Sequence, residues 1–240
     1  MKTFNQQQRE DLAAAYRLVA LFGWDDLSST HISARMEQEG QFLLNSRDLF
    51  FDEITASSLI SVDQSGNAIN ASKAVVNKAG FVIHSAIHQA RPDVGCVIHT
   101  HTQAGMAVAA MDCGLLPISQ HALRFYNAVG MHAYEGIALD LDERKRLVAD
   151  LGGGEVMILR NHGLLAVGNT VAEAFSAMYY LEKSCRAQVD AMQQHSKLHF
   201  PDEAVCQHVF EQYQRYTDYM QYDWKGLIRR LDRLQPDYKN

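Results

Sequence analysis

The chain has 240 residues, of which 47% are hydrophobic and 21% are charged, as is typical of a folded globular protein and not of a disordered one. Its net charge of −6 gives no overall basic surface for nucleic acid. No stretch reaches the roughly 18 apolar residues that a membrane-spanning helix needs. We therefore predict neither a nucleic acid nor a membrane as a partner.

The N-terminal residues and the cysteines favour a cytoplasmic location. The start of the chain has no apolar run of the kind found in secretory signals. The four cysteines are scattered and form no CxxC motif: Cys96, Cys113, Cys185 and Cys206. In a chain without an export signal they are expected to be reduced thiols.

The first half of the chain alternates helical and β-like patterns. Apolar residues recur at helical spacing over 6–22, and three short apolar runs with turn residues between them follow: HISARM, QFLLN and SLISVD. Residues 77–90 return to helical spacing. The β-branched run 95–101, GCVIHTH, predicts a buried strand, and a helix is expected over 103–111.

The second half predicts a hairpin followed by helices. Two apolar runs in 156–168 surround an Asn-His-Gly turn, and a long helix is expected over 170–195 with Thr170 as its N-cap. The tail predicts a further amphipathic helix from the spacing of Trp224, Leu227, Ile228, Leu231 and Leu234. Because no repeat or linker interrupts the pattern, we expect a single domain over 1–240, an α/β/α sandwich with a C-terminal helical tail.

Three histidines are candidate metal ligands. Because side chains alternate along a strand, His99 and His101 would project from the same face. His162, on the hairpin turn, could add a third nitrogen, and three protein nitrogens with an open position are typical of a catalytic zinc site. The alternative is a pair of satisfied core histidines. His84 and His88, four residues apart on a helix, could also mimic a metal pair, although packing is favoured.

Several separated blocks carry a family resemblance. The segments concerned are FGWDDLSSTHISARM, DLFFDEITASSLISVDQSGN, RPDVGCVIHTHTQAGMAVAAM, LLPISQHALRFY and VMILRNHGLLAVGNTVAEAFSAMYYLE. In this order they resemble the class II aldolase/adducin family from about residue 8 to residue 232. The resemblance implies an α/β/α sandwich around a mostly antiparallel sheet and a C4 homotetramer with active sites between subunits. It also implies that His99, His101 and His162 match the family's three zinc-binding histidines.

The chain departs from the sugar-phosphate aldolases of that family. Those enzymes carry Ser-Ser-Glu, whose Glu is the base, where this chain has Lys78-Ala79-Gly80. Their two phosphate-binding elements correspond here to Thr30-His31 and to residues 45–48, Asn-Ser-Arg-Asp. Phosphate sites of that type need small residues that allow close approach of backbone N–H groups. We therefore predict a non-phosphorylated substrate, with Lys78 and His31 as candidate substrate-binding residues.

The resemblance and the missing Glu together favour a metal-dependent carbon–carbon lyase. Its substrate would be a small oxo- or hydroxy-acid, cleaved by retro-aldol reaction or decarboxylation, and only decarboxylation dispenses with a base before cleavage. His121 lies near the position where the aldolases place a catalytic Tyr from the neighbouring subunit. It is the candidate proton donor, with Tyr126 and His132 as second choices. Arg124 could bind a substrate carboxylate through two hydrogen bonds. The alternatives are a subunit contact for His121 and a subunit salt bridge for Arg124.

Two other functions stay open. A non-catalytic, adducin-like assembly module is favoured by the missing Glu and opposed by the complete histidine set. An epimerase acting on sugar phosphates is less favoured, because the phosphate elements are changed. Zinc is the expected metal, although manganese, cobalt and nickel also suit imidazole ligands. Four tyrosines near the C-terminus are interpreted as a stripe on one helix that serves packing and subunit contacts: Tyr213, Tyr216, Tyr219 and Tyr222.

Overall fold

The computed structural model describes residues 2–69, 75–136, 142–194 and 197–240, and a seven-stranded sheet forms its centre. The strands are β1 (His31–Arg35), β2 (Phe42–Leu44), β3 (Ile60–Val62), β4 (Cys96–Thr100), β5 (Val129–His132), β6 (Val156–Leu159) and β7 (Gly163–Gly168). Their order across the sheet is β3-β2-β1-β4-β7-β6-β5. Neighbouring strands are antiparallel except for β5 and β6, which are parallel. The predicted mostly antiparallel sheet is confirmed.

Helices cover both faces of this sheet. They are α1 (Phe4–Leu21), α2 (Lys78–Ala90), α3 (Gln103–Ala109), α4 (Gln120–Leu123), α5 (Glu143–Leu151), α6 (Val171–Gln193), α7 (Glu203–Arg215) and α8 (Asp218–Leu234). Helices α1, α3 and α6 pack on one face, with α8 against α6 and α1. Helices α2 and α5 pack on the other face, which confirms the predicted α/β/α layering. None of the described helices combines the length and apolar character needed to cross a membrane.

The alternation of side chains along β4 determines which face of the sheet carries the site. Cys96 and Ile98 are buried in the large core cluster with α1 and α6, whereas Val97 belongs to the cluster beneath α2 and α5. His99 therefore lies on the α2 side, because residues two apart on a strand share a face.

Side-chain caps explain where the helices next to the site begin. The Thr170 hydroxyl accepts a hydrogen bond from the Glu173 backbone N–H at the start of α6, as predicted. Asn77 caps α2 in the same way through the N–H of Gly80. Thr102 caps α3 directly after His101. Each cap satisfies a helix N–H that has no partner within the helix.

The C-terminal tyrosines do not form one stripe, so that prediction was wrong. Tyr213 lies on α7, whereas Tyr219 and Tyr222 lie on α8. The chain leaves helical geometry at Tyr216, which ends α7 with φ −103° and ψ 85°. Neither Gly nor Pro marks this break. Strand β5 and helices α5 and α7 were also not predicted, because their apolar patterns are short or irregular.

Candidate metal and active site

His99 reaches the site from the end of β4. Its Nδ1 lies 2.9 Å from the Leu164 carbonyl oxygen on β7. Because a carbonyl can only accept, Nδ1 carries the hydrogen and Nε2 keeps its lone pair. A metal-binding histidine typically has its other ring nitrogen held in this way.

His101 directly follows β4, and its Nδ1 also has an oxygen acceptor. Its Nδ1 lies 3.0 Å from the Oδ2 of Asp26, whose carboxylate accepts the N–H. The two Nε2 atoms of His99 and His101 are then only 2.8 Å apart. Two lone pairs facing each other at this distance repel, and a shared cation removes the repulsion. The pair therefore fits a metal ion chemically.

A tight turn brings His162 to the same place. The His162 backbone N–H donates to the Leu159 carbonyl at 3.0 Å, and Asn161 adopts a positive φ of 53° between β6 and β7. The Asn161 N–H donates to the Ala109 carbonyl at 3.0 Å, which attaches the turn to α3. The ring centroid of His162 lies 4.8 Å from those of both His99 and His101. One nitrogen from each ring lies within 4.8 Å of the others.

Electrostatics keep two of these rings neutral in the absence of metal. Burial, followed by the neighbouring histidines, holds the pKa of His99 well below its usual value. Burial and then His101 lower the pKa of His162 to about 4. Neutral imidazole is the form that binds metal. Among the described residues, this is the only group of three or more His, Cys, Asp or Glu side chains that converges in this way.

His31 lies beside the three histidines. It pairs with His99 in the β1–β4 register, and the two ring centroids are 4.9 Å apart. Its Nδ1 lies 2.8 Å from Nε2 of His84 on α2. Burial, and then the charge of His84, hold the pKa of His31 well below its usual value. The structure thus places this predicted substrate-binding residue at the edge of the candidate metal site.

The hydrogen bonds continue away from the site behind His31. His84 Nδ1 lies 2.5 Å from the Ser33 hydroxyl, which lies 2.8 Å from Nε2 of His88. His31 and Ser33 alternate onto the face of β1 that α2 covers, while His84 and His88 are one helical turn apart. The preference for packing over a metal pair at His84 and His88 agrees with these contacts.

Arg124 is bound within its own chain. Its Nε and one terminal nitrogen donate to the two carboxylate oxygens of Glu155 at 3.0 and 2.9 Å, and the other terminal nitrogen donates to Ser176 at 3.0 Å. Only 3% of the Arg124 side chain is exposed. All three nitrogens of the guanidinium that was expected to bind a substrate carboxylate therefore donate to groups of the same chain.

Three further predicted site residues are His121, Tyr126 and Lys78. His121 packs edge-on against Tyr180 at 4.8 Å between ring centroids, and its Nδ1 is buried with no hydrogen-bond partner in the described part of the chain. The prediction placed it at a neighbouring subunit's metal, a contact that a single chain does not contain. Tyr126 is half-buried in the turn after α4. Lys78 begins α2, but its side chain lies outside the described residues.

His132, a second choice for proton transfer, is engaged by two carboxylates. Its Nδ1 lies 2.7 Å from Asp150, and its Nε2 lies 3.3 Å from Glu143. Both ring nitrogens are therefore occupied on the α5 side of β5.

The segment that corresponds to a phosphate loop is committed to internal contacts. The Tyr16 hydroxyl bonds the Asn45 side chain at 2.9 Å, and the Ser46 hydroxyl accepts from the Val75 backbone N–H at 3.2 Å. Arg47 and Asp48 are exposed. The polar side chains that could face an anion from this loop are thus either bonded within the chain or directed to solvent.

Comparison with known proteins establishes the family. The family model described as the class II aldolase and adducin N-terminal domain matches residues 10–189. The chain belongs to the class II aldolase and adducin family. A crystal structure of an aldolase II superfamily protein from Pseudomonas syringae is 48% identical, with a TM-score of 0.94 and coverage of 100% of this chain and 98% of that one.

Two further relatives show the range of this family. An L-fuculose 1-phosphate aldolase from Glaciozyma antarctica PI12 is 29% identical, with a TM-score of 0.87 over 100% of this chain and 97% of that one. Alpha-adducin from Rattus norvegicus is 47% identical over 182 residues, which are 74% of this chain but 25% of the adducin. The family therefore includes a protein named as an enzyme. It also includes alpha-adducin, three quarters of whose length lies outside the region that matches this chain.

Sequence reasoning missed Asp26, His84 and Ser33 as partners of site residues. The alternation of His31 and Ser33, set against the one-turn spacing of His84 and His88, is the signal that could have found two of them. Asp26 lies in a loop 75 residues before His101, and no local pattern marks it.

Proposed function

We propose that the protein is a metal-dependent carbon–carbon lyase that acts on a small non-phosphorylated oxo- or hydroxy-acid, by retro-aldol cleavage or decarboxylation. The supporting observation is the convergence of His99, His101 and His162, with one nitrogen of each within 4.8 Å of the others. In a pair kept only for packing, one Nε2–H would be donated to the other ring, whereas the acceptors at both Nδ1 atoms leave two Nε2 lone pairs facing each other at 2.8 Å.

The three histidines would hold one divalent cation, with zinc favoured by the all-imidazole donor set. Such an ion supplies Lewis-acid polarisation of a substrate oxygen. The Leu164 carbonyl and the Asp26 carboxylate orient two of the rings. His162 depends on the turn at Asn161 for its position.

The remaining roles belong to residues around the cluster. His31 is proposed to bind the substrate, because its ring centroid lies 4.9 Å from that of His99. Lys78 is proposed to attract the carboxylate of the substrate. His121 of a neighbouring subunit is the proposed proton donor, with Tyr126 as the alternative. For Arg124, the bonds to Glu155 and Ser176 favour a structural role over the substrate-binding one.

The preference for a non-phosphorylated substrate rests on the groups around the site. Gly80 offers no side chain, and Asn45 and Ser46 are bonded within the chain. Turnover and thermal stabilisation of the zinc-loaded protein would be compared for small 2-hydroxy and 2-oxo acids and for fuculose, ribulose and rhamnulose phosphates. Faster cleavage of the acids is expected. Faster cleavage of any of the sugar phosphates would contradict this preference, and faster cleavage of fuculose phosphate would assign the activity named for the 29% identical relative.

A second candidate function is a non-catalytic, adducin-like module. It is favoured by the 47% identity to alpha-adducin over 182 residues, which are 74% of this chain. Metal content helps to distinguish the lyase from the assembly module, because an assembly module does not need a metal ion with an open coordination position. A protein that holds one zinc ion per chain but cleaves none of the acids or phosphates would favour the module.

The protein is also proposed to be a homotetramer in the cytoplasm. His121 can serve the site of another chain only if subunits associate, and closed cyclic symmetry would give every site such a neighbour. Light scattering at micromolar concentration is expected to give a mass near four chains. A monomer at that concentration would contradict both the tetramer and the role proposed for His121.

A further inference from the structure

Gly80 leaves the space that the His31 ring fills. A Cβ atom added at Gly80 would lie 2.7 Å from Cδ2, 2.8 Å from Cγ and 3.1 Å from Nε2 of His31. Gly80 lies in the first turn of α2 with ordinary helical geometry, where alanine is the better helix former. The backbone therefore does not require glycine here, and the imidazole of His31 does.

The opposite edge of His31 is held by a buried chain of hydrogen bonds. His31 Nδ1 lies 2.8 Å from His84 Nε2, His84 Nδ1 lies 2.5 Å from Ser33 Oγ, and Ser33 Oγ lies 2.8 Å from His88 Nε2. A neutral imidazole carries one hydrogen, which it donates from one ring nitrogen while the other nitrogen accepts. One hydrogen occupies each link, and therefore all three bonds point the same way along the chain.

This arrangement couples the far end of the hydrogen-bond chain to the position of the hydrogen on the His31 ring, whose centroid lies 4.9 Å from that of His99. If His84 Nε2–H donates to His31 Nδ1, the hydrogen of His31 resides on Nε2. That Nε2 atom has no hydrogen-bond partner among the described residues. A carboxylate oxygen can only accept, and it selects this form.

We propose that Gly80 and His84 are positioning residues that hold His31 so that its Nε2–H is donated to a carboxylate oxygen of the substrate at the three-histidine site. The proposal rests on the function proposed above, since it needs an acidic substrate there. His31 acts through hydrogen bonding by a neutral ring, and no change of its charge is involved. Gly80 fixes the position of one ring edge, and His84 fixes both the other edge and the tautomer.

A stability cycle tests the contact between Gly80 and His31 without reference to activity. In the unaltered chain, Gly80→Ala is expected to lower Tm, because the His31 ring must move. In a His31→Ala background the same change is expected to raise Tm by about 2 °C, the normal gain of alanine over glycine in a helix. Gly153→Ala is the control, because a Cβ there meets nothing within 4 Å. If His31→Ala does not fold, His31→Asn replaces it.

A binding series tests the role at the site. Glycolate would be titrated into the cobalt-loaded protein, with visible absorption of Co²⁺ as the readout and acetate as a probe that lacks the hydroxyl group. His31→Ala, Gly80→Ala and His84→Leu are each expected to weaken glycolate binding at least fivefold while Co²⁺ affinity changes less than twofold. His84→Gln is expected to restore binding, because its amide nitrogen can still donate to His31.

Two results would overturn the proposal. One is a Gly80→Ala effect on Tm that is the same with and without His31. The other is glycolate affinity that is unaltered by His84→Leu or absent from the cobalt-loaded protein. Failure of the unaltered chain to bind cobalt at all would contradict the proposed function instead, and the stability cycle would still decide whether Gly80 positions His31.

Discussion

Asp26 and His101 are joined by a hydrogen bond of 3.0 Å between Oδ2 and Nδ1. The bond links the loop before β1 to the residue that follows β4, and it leaves His101 Nε2 free to face His99. Carboxylates in this position orient a ligating imidazole and raise its basicity.

Removal of this carboxylate is expected to weaken metal binding. Asp26→Ala should lower zinc affinity about 10- to 100-fold, the usual effect of losing such a partner. Asp26→Asn should have a smaller effect, because its amide oxygen still accepts the N–H. Zinc affinity would be measured by competition with a chromogenic chelator. The exposed neighbour provides the control, Asp25→Ala, and an equal loss in both variants would contradict the role of Asp26.

The turn that presents His162 should be sensitive to its backbone conformation. Asn161 has a φ of 53°, which asparagine and glycine adopt more readily than other residues. Asn161→Ala should lower the free energy of unfolding by about 1 kcal/mol and also weaken zinc binding, whereas Asn161→Gly should preserve both. Urea unfolding and zinc competition would be measured together. Identical behaviour of the two variants would show that the turn does not position His162.

Arg124 should stabilise the fold. Because Arg124 is buried and bonded to both oxygens of Glu155, Glu155→Gln is expected to lower the free energy of unfolding by about 2 kcal/mol. Glu211→Gln breaks an exposed pair with Arg215 and should cost less than about 0.5 kcal/mol. Unchanged stability in Glu155→Gln, together with tighter binding of a hydroxy-acid, would instead support Arg124 as a residue that binds the substrate carboxylate.

The metal-free protein should lose stability in mild acid through His88. This ring contacts Ser33 on β1 and the Phe42 ring on β2, and the charged or titratable groups acting near it are His84 on α2 and Arg35. Burial, and then Arg35, lower its pKa to about 3. In the unfolded chain His88 binds a proton near pH 6.5, whereas in the folded chain it stays neutral to much lower pH. Its contribution to the free energy of unfolding is therefore fully present above pH 6.5 and is lost as the pH decreases below that value.

One such histidine contributes about 2 kcal/mol to the difference in stability between pH 7 and pH 5. His88→Gln should therefore reduce this difference by about that amount in urea unfolding of the metal-free protein. His208→Gln, at an exposed position on α7, should leave the difference unchanged. An unaltered pH dependence in His88→Gln would show that His88 accepts a proton in the folded state.

The sequence predicted those parts of the fold that local patterns encode. Helix α6 with its Thr170 cap, the hairpin around Asn161, and strand β4 all have strong periodic or turn signals, and the structure confirms them. The break at Tyr216 has no such signal. Helix α7 packs on α4 and helix α8 packs on α6 and α1, and these are contacts that a single sequence does not reveal.

The candidate site divides in the same way. His99 and His101 could be paired from strand alternation alone, and the position of His162 followed from its turn. Asp26 and Arg124 could not be assigned, because their partners are distant in sequence and come together only through tertiary packing. Glu155 lies 31 residues from Arg124, and no spacing rule connects them.

The central claim is that His99, His101 and His162 together bind one divalent ion. Metal content per chain would be measured by plasma mass spectrometry for the protein purified without chelators, for His99→Ala and His162→Ala, and for His208→Gln as a control. We expect close to one equivalent of zinc in the unaltered chain and in His208→Gln, and a large loss in the other two variants. Equal metal content in all four proteins would contradict the assignment.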